Sequence, residues 1–212
     1  MDYYADLFTT SNPQNPKNIM EGVQRVVTEE MNSKLTATHT MEEVEEAIKE
    51  MAPLKTPGPE GMRPLFYHTY WPNVGMDISH AIISCLNSGS LLKSINHTFI
   101  TLIPKVKNPK RVSEFRPISL CNVIYKIISK VIANRLKPLL DDIISETQSA
   151  FIVDRLIIDN ILIAFESLHH MKTSCTGRTG YMALKLDMSK TYDRVEWVFL
   201  EKILLKLGFQ NS

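Results

Sequence analysis

A mostly helical α+β fold is what this 212-residue sequence predicts. Two observations carry the expectation. Five stretches show apolar residues at a helical period near 3.6, against two that read as strands. Their order is not a regular alternation of strand and helix, which argues against a doubly wound sheet. An apolar share of 44% allows a real core, and the length suits one domain or two small ones.

Taken in order, residues 9–18 (TTSNPQNPKN) are turn formers and read as a loop. A helix is predicted over about 40–51. Thr40 and Glu43 have capping-box spacing, and Met41, Val44, Ile48 and Met51 share one face. Residues 52–64 hold four prolines and two glycines and predict a stiff, irregular loop. The next helix is expected at about 77–87, with Ile78, Ala81, Ile82, Cys85 and Leu86 as its stripe and Gly89 just past its end. HTFITLI at 97–103 is β-branched and apolar and predicts a strand, with the basic loop KVKNPKRVSEFRP after Pro104.

The clearest helix covers about 120–137. Leu120, Val123, Ile124, Ile127, Ile128, Val131, Ile132 and Leu136 form one broad face, and Lys126, Lys130 and Lys137 fall opposite. Arg135 lies toward the apolar side, so it must snorkel or find a partner. Another helix is expected at about 157–172. YMALKLD at 181–187 alternates as a strand, with Met182, Leu184 and Leu186 on one face and Asp187 on the other. A last helix, about 195–207, turns Trp197, Leu200, Leu204 and Leu207 inward and stops at Gly208.

Net charge is only +1, but it is unevenly spread. Residues 1–50 carry ten acids against four bases, and residues 93–137 carry ten bases against one acid, Glu114. Such a basic stretch is what a polyanionic partner needs, and equally what a solvated surface can carry. Three cysteines, Cys85, Cys121 and Cys175, show neither metal-binding spacing nor a disulfide framework, and predict reduced thiols. The N-terminus has no signal-peptide pattern, and no apolar run approaches the ~20 residues of a membrane span. A soluble, intracellular protein without membrane contact is expected.

Asp187 is the sharpest chemical position. At the end of the predicted strand, on the face away from the apolar residues, its carboxylate is free to meet a hard cation such as Mg²⁺. Read alone, a strand-end Asp is more often a turn or helix-cap residue. Its surroundings are more specific. KLDMSKTYDRVEW (185–197) resembles the first palm motif of reverse transcriptases, and FRPISLCNVIYKIISKVIANRLK (115–137) resembles the fingers motif of non-LTR, LINE-type retrotransposons, especially plant ones. TPGPEGM (56–62), LIPKVKNP (102–109), QSAFIVDRLIIDN (148–160) and KLGF (206–209) match the same family in the same order, and YYADLFTTSNP resembles the segment before the polymerase region.

The resemblance implies RNA-templated DNA synthesis with Mg²⁺, an RNA template, a DNA primer and deoxynucleoside triphosphates. It makes Asp187 the catalytic metal ligand, beside the backbone carbonyl of Met188. Lys105 and Arg116 hold the triphosphate, a point charge and a planar fork. Tyr192 lies under the incoming sugar and rejects a 2′-hydroxyl by repulsion. Gln148, Phe151 and Arg155 line the template path. The basic set Lys107, Lys110, Arg111, Lys126 and Lys130 is expected to contact phosphates. A nuclear location follows from the family, with no targeting signal in the residues themselves.

Two departures stand out. Thr191 replaces an alanine common in relatives, and Val153-Asp154 replaces a Pro-Gly-like pair. The paired-aspartate palm motif does not occur in these 212 residues. Tyr4-Ala5-Asp6-Leu7 lacks the second Asp, and Leu140-Asp141-Asp142-Ile143 lacks the aromatic and precedes Asp187. The expected organisation is a helical lead-in (1–52), a fingers-like region (53–178) and the first strand and helix of a palm (179–212). An exposed half-palm invites self-association. Three functions stay open for the isolated chain: a polymerase fragment inactive by itself, a noncatalytic nucleic-acid-binding remnant, and an inert relic.

Overall fold

The structure, a computed structural model, describes residues 2–11, 20–150, 152–173, 181–186 and 191–210. It divides into two compact units, one of Met1–Asn32 with Lys137–Ser212 and one of Ser33–Leu136. In chain order the helices are α1 (Asp2–Phe8), α2 (Glu29–Leu35), α3 (Met41–Lys49), α4 (Pro64–Ser88), α5 (Lys93–Asn96), α6 (Val123–Leu136), α7 (Leu140–Ile143), α8 (Ile157–Thr173) and α9 (Trp197–Leu207). The strands are β1 (Thr98–Pro104) and β2 (Phe115–Cys121). The described residues are thus mostly helical with one small antiparallel sheet, an α+β composition.

The core of the 33–136 unit is made by α3, α4 and α6. Val44, Ala47, Ile48, Tyr67, Ile82, Val123, Ile127 and Val131 are buried together. Burying such side chains stabilises the fold by about 1.5–3 kcal/mol each before entropy is charged. Helix α3 starts with the anticipated capping box. Glu43 N–H donates to Thr40 Oγ1 at 3.4 Å, and Thr40 N–H donates to Glu43 Oε2 at 2.9 Å.

Helix α4 is much longer than its periodic stripe suggested. Pro64 sits at its first position, where a missing N–H costs nothing, and Gly89 ends it at a left-handed φ of 62°. Pro72 lies inside it, leaving the His68 carbonyl without its helical donor. That proline and the aromatic-rich 65–71 hid the first half of the helix from a periodicity reading. The Pro-rich loop before α4 docks on the start of α6. Glu60 Oε1 accepts from Val123 N–H at 2.7 Å, serving one of the helix's orphan donors. A Cβ on Gly58 would lie 2.4 Å from the Cys121 carbonyl oxygen, so only glycine permits this approach.

In the other unit, α8 and α9 bury no side chain fully. Trp197, expected inward, is 81% exposed, while Leu200, Leu204 and Leu207 are half-buried. Residues 181–186 form no strand, against expectation. A strand needs a ladder partner, and among the described residues none pairs with them. Met182, Leu184 and Leu186 are accordingly exposed.

Candidate nucleic-acid interface

β1 and β2 form a hairpin arm in the 33–136 unit. Ile103 pairs with Arg116 and Pro104 with Phe115, and Lys105 N–H donates to the Glu114 carbonyl at 2.7 Å. The ladder therefore runs one step past β1, and Lys105 and Arg116 are diagonal neighbours on one face. The sequence reading missed β2, because its Pro117 and Arg116 continue a basic loop; the strand exists because β1 supplies its partner.

Beyond β1 the chain carries Lys105, Lys107, Lys110 and Arg111 in one tight excursion. Glu114 folds it back. Its Oε2 accepts from the backbone N–H groups of Lys110 (2.5 Å) and Arg111 (3.0 Å), which holds the carboxyl below its ordinary value. The single acid of the arm is thus bound to main chain rather than to a cationic side chain. Among the described residues, the side chains of Lys105, Lys107, Lys110 and Arg116 make no ion pair or hydrogen bond.

The basic residues of α6 are placed differently. Lys126 is half-buried and its Nζ donates to the Thr56 carbonyl at 2.7 Å. Burial pushes its ammonium below the ordinary value. Lys130 Nζ meets Glu50 at 2.7 Å. Both lysines, with Lys55, Tyr125 and Glu50, border an open groove of about 510 Å³. Arg135 is fully engaged. Its Nε and Nη2 fork onto Glu43 at 2.6 and 2.8 Å, and the rest of the guanidinium donates to the carbonyls of Leu35, Ala37 and Thr38. The pairing expected for Arg135 is therefore present. The Arg135 hydrogen bonds hold Glu43 below the ordinary carboxyl value, and burial followed by the Arg135 charge lowers His39.

In the other unit Arg155 is an organiser of its own segment. Its guanidinium donates to the carbonyls of Ser145 (2.7 Å) and Gln148 (3.0 Å) and to Asp141 (3.1 Å). Gln148 Nε2 turns to the Ala150 carbonyl at 3.3 Å. Asp154 sits at φ 61°, a left-handed conformation that glycine adopts freely. The departure from Pro-Gly at 153–154 thus falls where the backbone most favours glycine. Tyr192 stands on a 3₁₀ turn, Thr191–Arg194, with 78% of its surface exposed.

Asp187 and Met188, expected to meet the metal, lie outside the described residues, as do Phe151 and Cys175. Among the described residues no three His, Cys, Asp or Glu side chains cluster to hold a metal. No helix among them is long and apolar enough to cross a membrane.

Residues 103–212 match the family model described as reverse transcriptase (RNA-dependent DNA polymerase). The chain belongs to the reverse transcriptase family. Its curated relatives are non-LTR retrotransposon proteins. It is 30% identical over 211 residues to the transposon TX1 uncharacterized 149 kDa protein of Xenopus laevis, a match covering 98% of this chain and 16% of that protein. It is 29% identical over 177 residues, 80% of the chain, to the retrovirus-related Pol polyprotein from type-2 retrotransposable element R2DM of Drosophila melanogaster, again 16% of that protein. The activity that names the family takes a nucleic-acid template and nucleotides, and is generally dependent on a divalent metal. The matched region contains the second half of the hairpin arm, α6, Arg155 and Tyr192.

Proposed function

We propose that this chain is the template- and nucleotide-gripping part of a non-LTR retrotransposon reverse transcriptase. In that reading 53–178 are fingers, 179–212 begin the palm, and the place of action is the nucleus. The observation that carries the proposal is the hairpin arm. It presents Lys105 and Arg116 as neighbours on one face, with neither side chain consumed by the fold. A point charge beside a planar fork is the donor pair a triphosphate needs. Lys107, Lys110 and Arg111 follow on the same arm, where phosphates of an RNA template or DNA primer can release counterions.

Tyr192 would lie under the incoming sugar and reject a 2′-hydroxyl. Asp187, with the Met188 carbonyl, would supply one ligand set for Mg²⁺, the cation that the family implies. Among the described residues no cluster of side chains completes such a site. Lys126 and Lys130, bound to Thr56 and Glu50, would contribute less to binding than the arm. By themselves the 212 residues would bind nucleic acid and nucleotide without extending a primer, because one carboxylate cannot clamp two metal ions.

The test combines fluorescent deoxynucleotide binding with primer extension on the chain. Lys105→Ala with Arg116→Ala should weaken nucleotide binding by at least about tenfold, as expected for lost charge-assisted contacts. Lys93→Ala should leave it unchanged. Equal affinity in the double variant would refute the role of the arm. Extension that vanishes in Asp187→Asn would refute inactivity of the isolated chain.

A further inference from the structure

The N-terminal segment lies outside the family-model match, which starts at residue 103. Yet it grips the segment that follows Asp187, at several points and within one compact unit. At the start of α9 the cap residue is Glu196, with no side-chain bond to its own helix. Its carboxylate instead accepts Thr10 Oγ1 at 2.5 Å, Ser11 N–H at 2.9 Å and Ser11 Oγ at 2.8 Å. At the end of α9 the Leu207 carbonyl accepts from the N–H groups of both Val26 and Val27 at 2.9 Å.

Gly208 then turns the chain at φ 106°, and a Cβ there would lie 2.7 Å from the Val27 carbonyl oxygen. Asn32, only 1% exposed, closes the contact. Its Nδ2 donates to the Gly208 carbonyl at 2.8 Å, and its Oδ1 accepts from Gln210 N–H at 3.1 Å. Gln210 Nε2 adds a bond to Glu29 at 2.8 Å. Helix α1 packs against the Thr191–Arg194 turn that carries Tyr192. The N-terminal segment thus touches the Tyr192 turn, the first residue before α9 and the first turn after it.

We propose that residues 2–11 and 20–32 are a brace that sets the position of Tyr192 and α9, with Asn32 and Glu196 as its positioning residues. The inference rests on the reading of Tyr192 given above. A helix anchored at both ends cannot slide along its axis, and the turn immediately before it inherits that constraint. Asn32 suits the task because one side chain supplies both a donor and an acceptor to backbone groups two residues apart. A part-buried carbonyl and N–H would lose this partner on an apolar replacement.

Two arms test it. In the chain itself, Asn32→Leu should speed hydrogen exchange at Val26, Val27 and Gln210 and along 200–207 by at least about tenfold, as local opening predicts, leaving 127–131 unchanged. Unchanged exchange at 200–210 overturns the brace. In the longest polypeptide that the reading frame encodes, Thr10→Val with Ser11→Ala should lower the ratio of deoxy- to ribonucleotide incorporation by about tenfold, since small misplacements carry large kinetic penalties. That ratio does not depend on the fraction of protein folded, so simple destabilisation cannot mimic it. Faster exchange with an unchanged ratio overturns the positioning role of the brace. If the unmutated polypeptide does not polymerise, the reading of Tyr192 as a sugar gate fails and the positioning role with it, and the exchange arm still decides whether the brace exists.

Discussion

The hairpin arm and helix α6 are both basic, are adjacent in sequence and belong to one compact unit, yet their charges are used in opposite ways. On α6, Arg135 is wrapped by Glu43 and three carbonyls, Lys130 meets Glu50, and Lys126 meets Thr56. On the arm, the single acid binds backbone N–H groups and leaves the lysine tails to solvent. Within the 33–136 unit, two acids of the acidic stretch therefore pair with two bases of the basic one. Glu43 and Glu50 are the partners of Arg135 and Lys130, so part of the charge asymmetry cancels inside the fold. The side chains of Lys105, Lys107, Lys110 and Arg116 on the arm make no internal bond among the described residues, whereas those of Lys126, Lys130 and Arg135 on α6 are bonded within their own unit.

The largest expected effect sharpens the structural side of this contrast. Arg135→Ala leaves the half-buried Glu43 carboxylate with only its Thr40 N–H donor and takes the guanidinium from the Leu35, Ala37 and Thr38 carbonyls, and should destabilise the chain by about 3 kcal/mol. Urea unfolding measures it, and Arg135→Lys should not restore the loss, because an ammonium cannot reproduce the fork. A stable Arg135→Ala variant with weakened RNA binding would reverse the assignment. Next comes Gly58→Ala. The added Cβ meets backbone at Cys121 and Asn122, which cannot swing aside, and should cost about 1–3 kcal/mol. The change should loosen the start of α6 in hydrogen exchange while sparing RNA affinity at temperatures where the chain stays folded.

A smaller effect concerns pH. Glu43 has its folded value lowered by Arg135, so the unfolded chain takes up the proton first as pH falls. Its stabilisation is present above the ordinary carboxyl value and is lost as pH drops through the lowered one. His39, lowered chiefly by burial, acts in the same direction from the ordinary histidine range downward. Melting temperature should decline on acidification, and Glu43→Gln should flatten the acid limb. An unchanged acid limb in Glu43→Gln would show that the Arg135 cluster contributes nothing there.

Local signals were legible wherever the chain reports on itself. The Thr40–Glu43 box, the buried face of α6 and the turn at Gly208 follow from spacing and residue type. Family motifs made Lys105, Arg116 and Tyr192 candidates before any geometry. What could not be read were the partnerships made at long range. Nothing near Lys130 points to Glu50, and nothing near Lys126 points to Thr56. β2 was hidden because a strand containing Pro117 exists only through its register with β1. Alternation at 181–187 suggested a strand, but alternation supplies no hydrogen-bond partner. Asn32 and Glu196 carried no signal at all: a polar residue gripping the far end of the chain looks, in sequence, like any surface residue.

The contrast between arm and helix is tested most directly by the salt dependence of RNA binding. Single-stranded RNA should be titrated over a salt series against the unmutated chain, Lys107→Gln/Lys110→Gln/Arg111→Gln, and Lys126→Gln/Lys130→Gln. Each phosphate contact on a single strand contributes about 0.7 to the slope of log affinity against log salt. The arm variant should lose about two units of slope, and the helix variant well under one. Equal slopes in the arm variant and the unmutated chain, with the loss falling on the helix variant, would contradict the account.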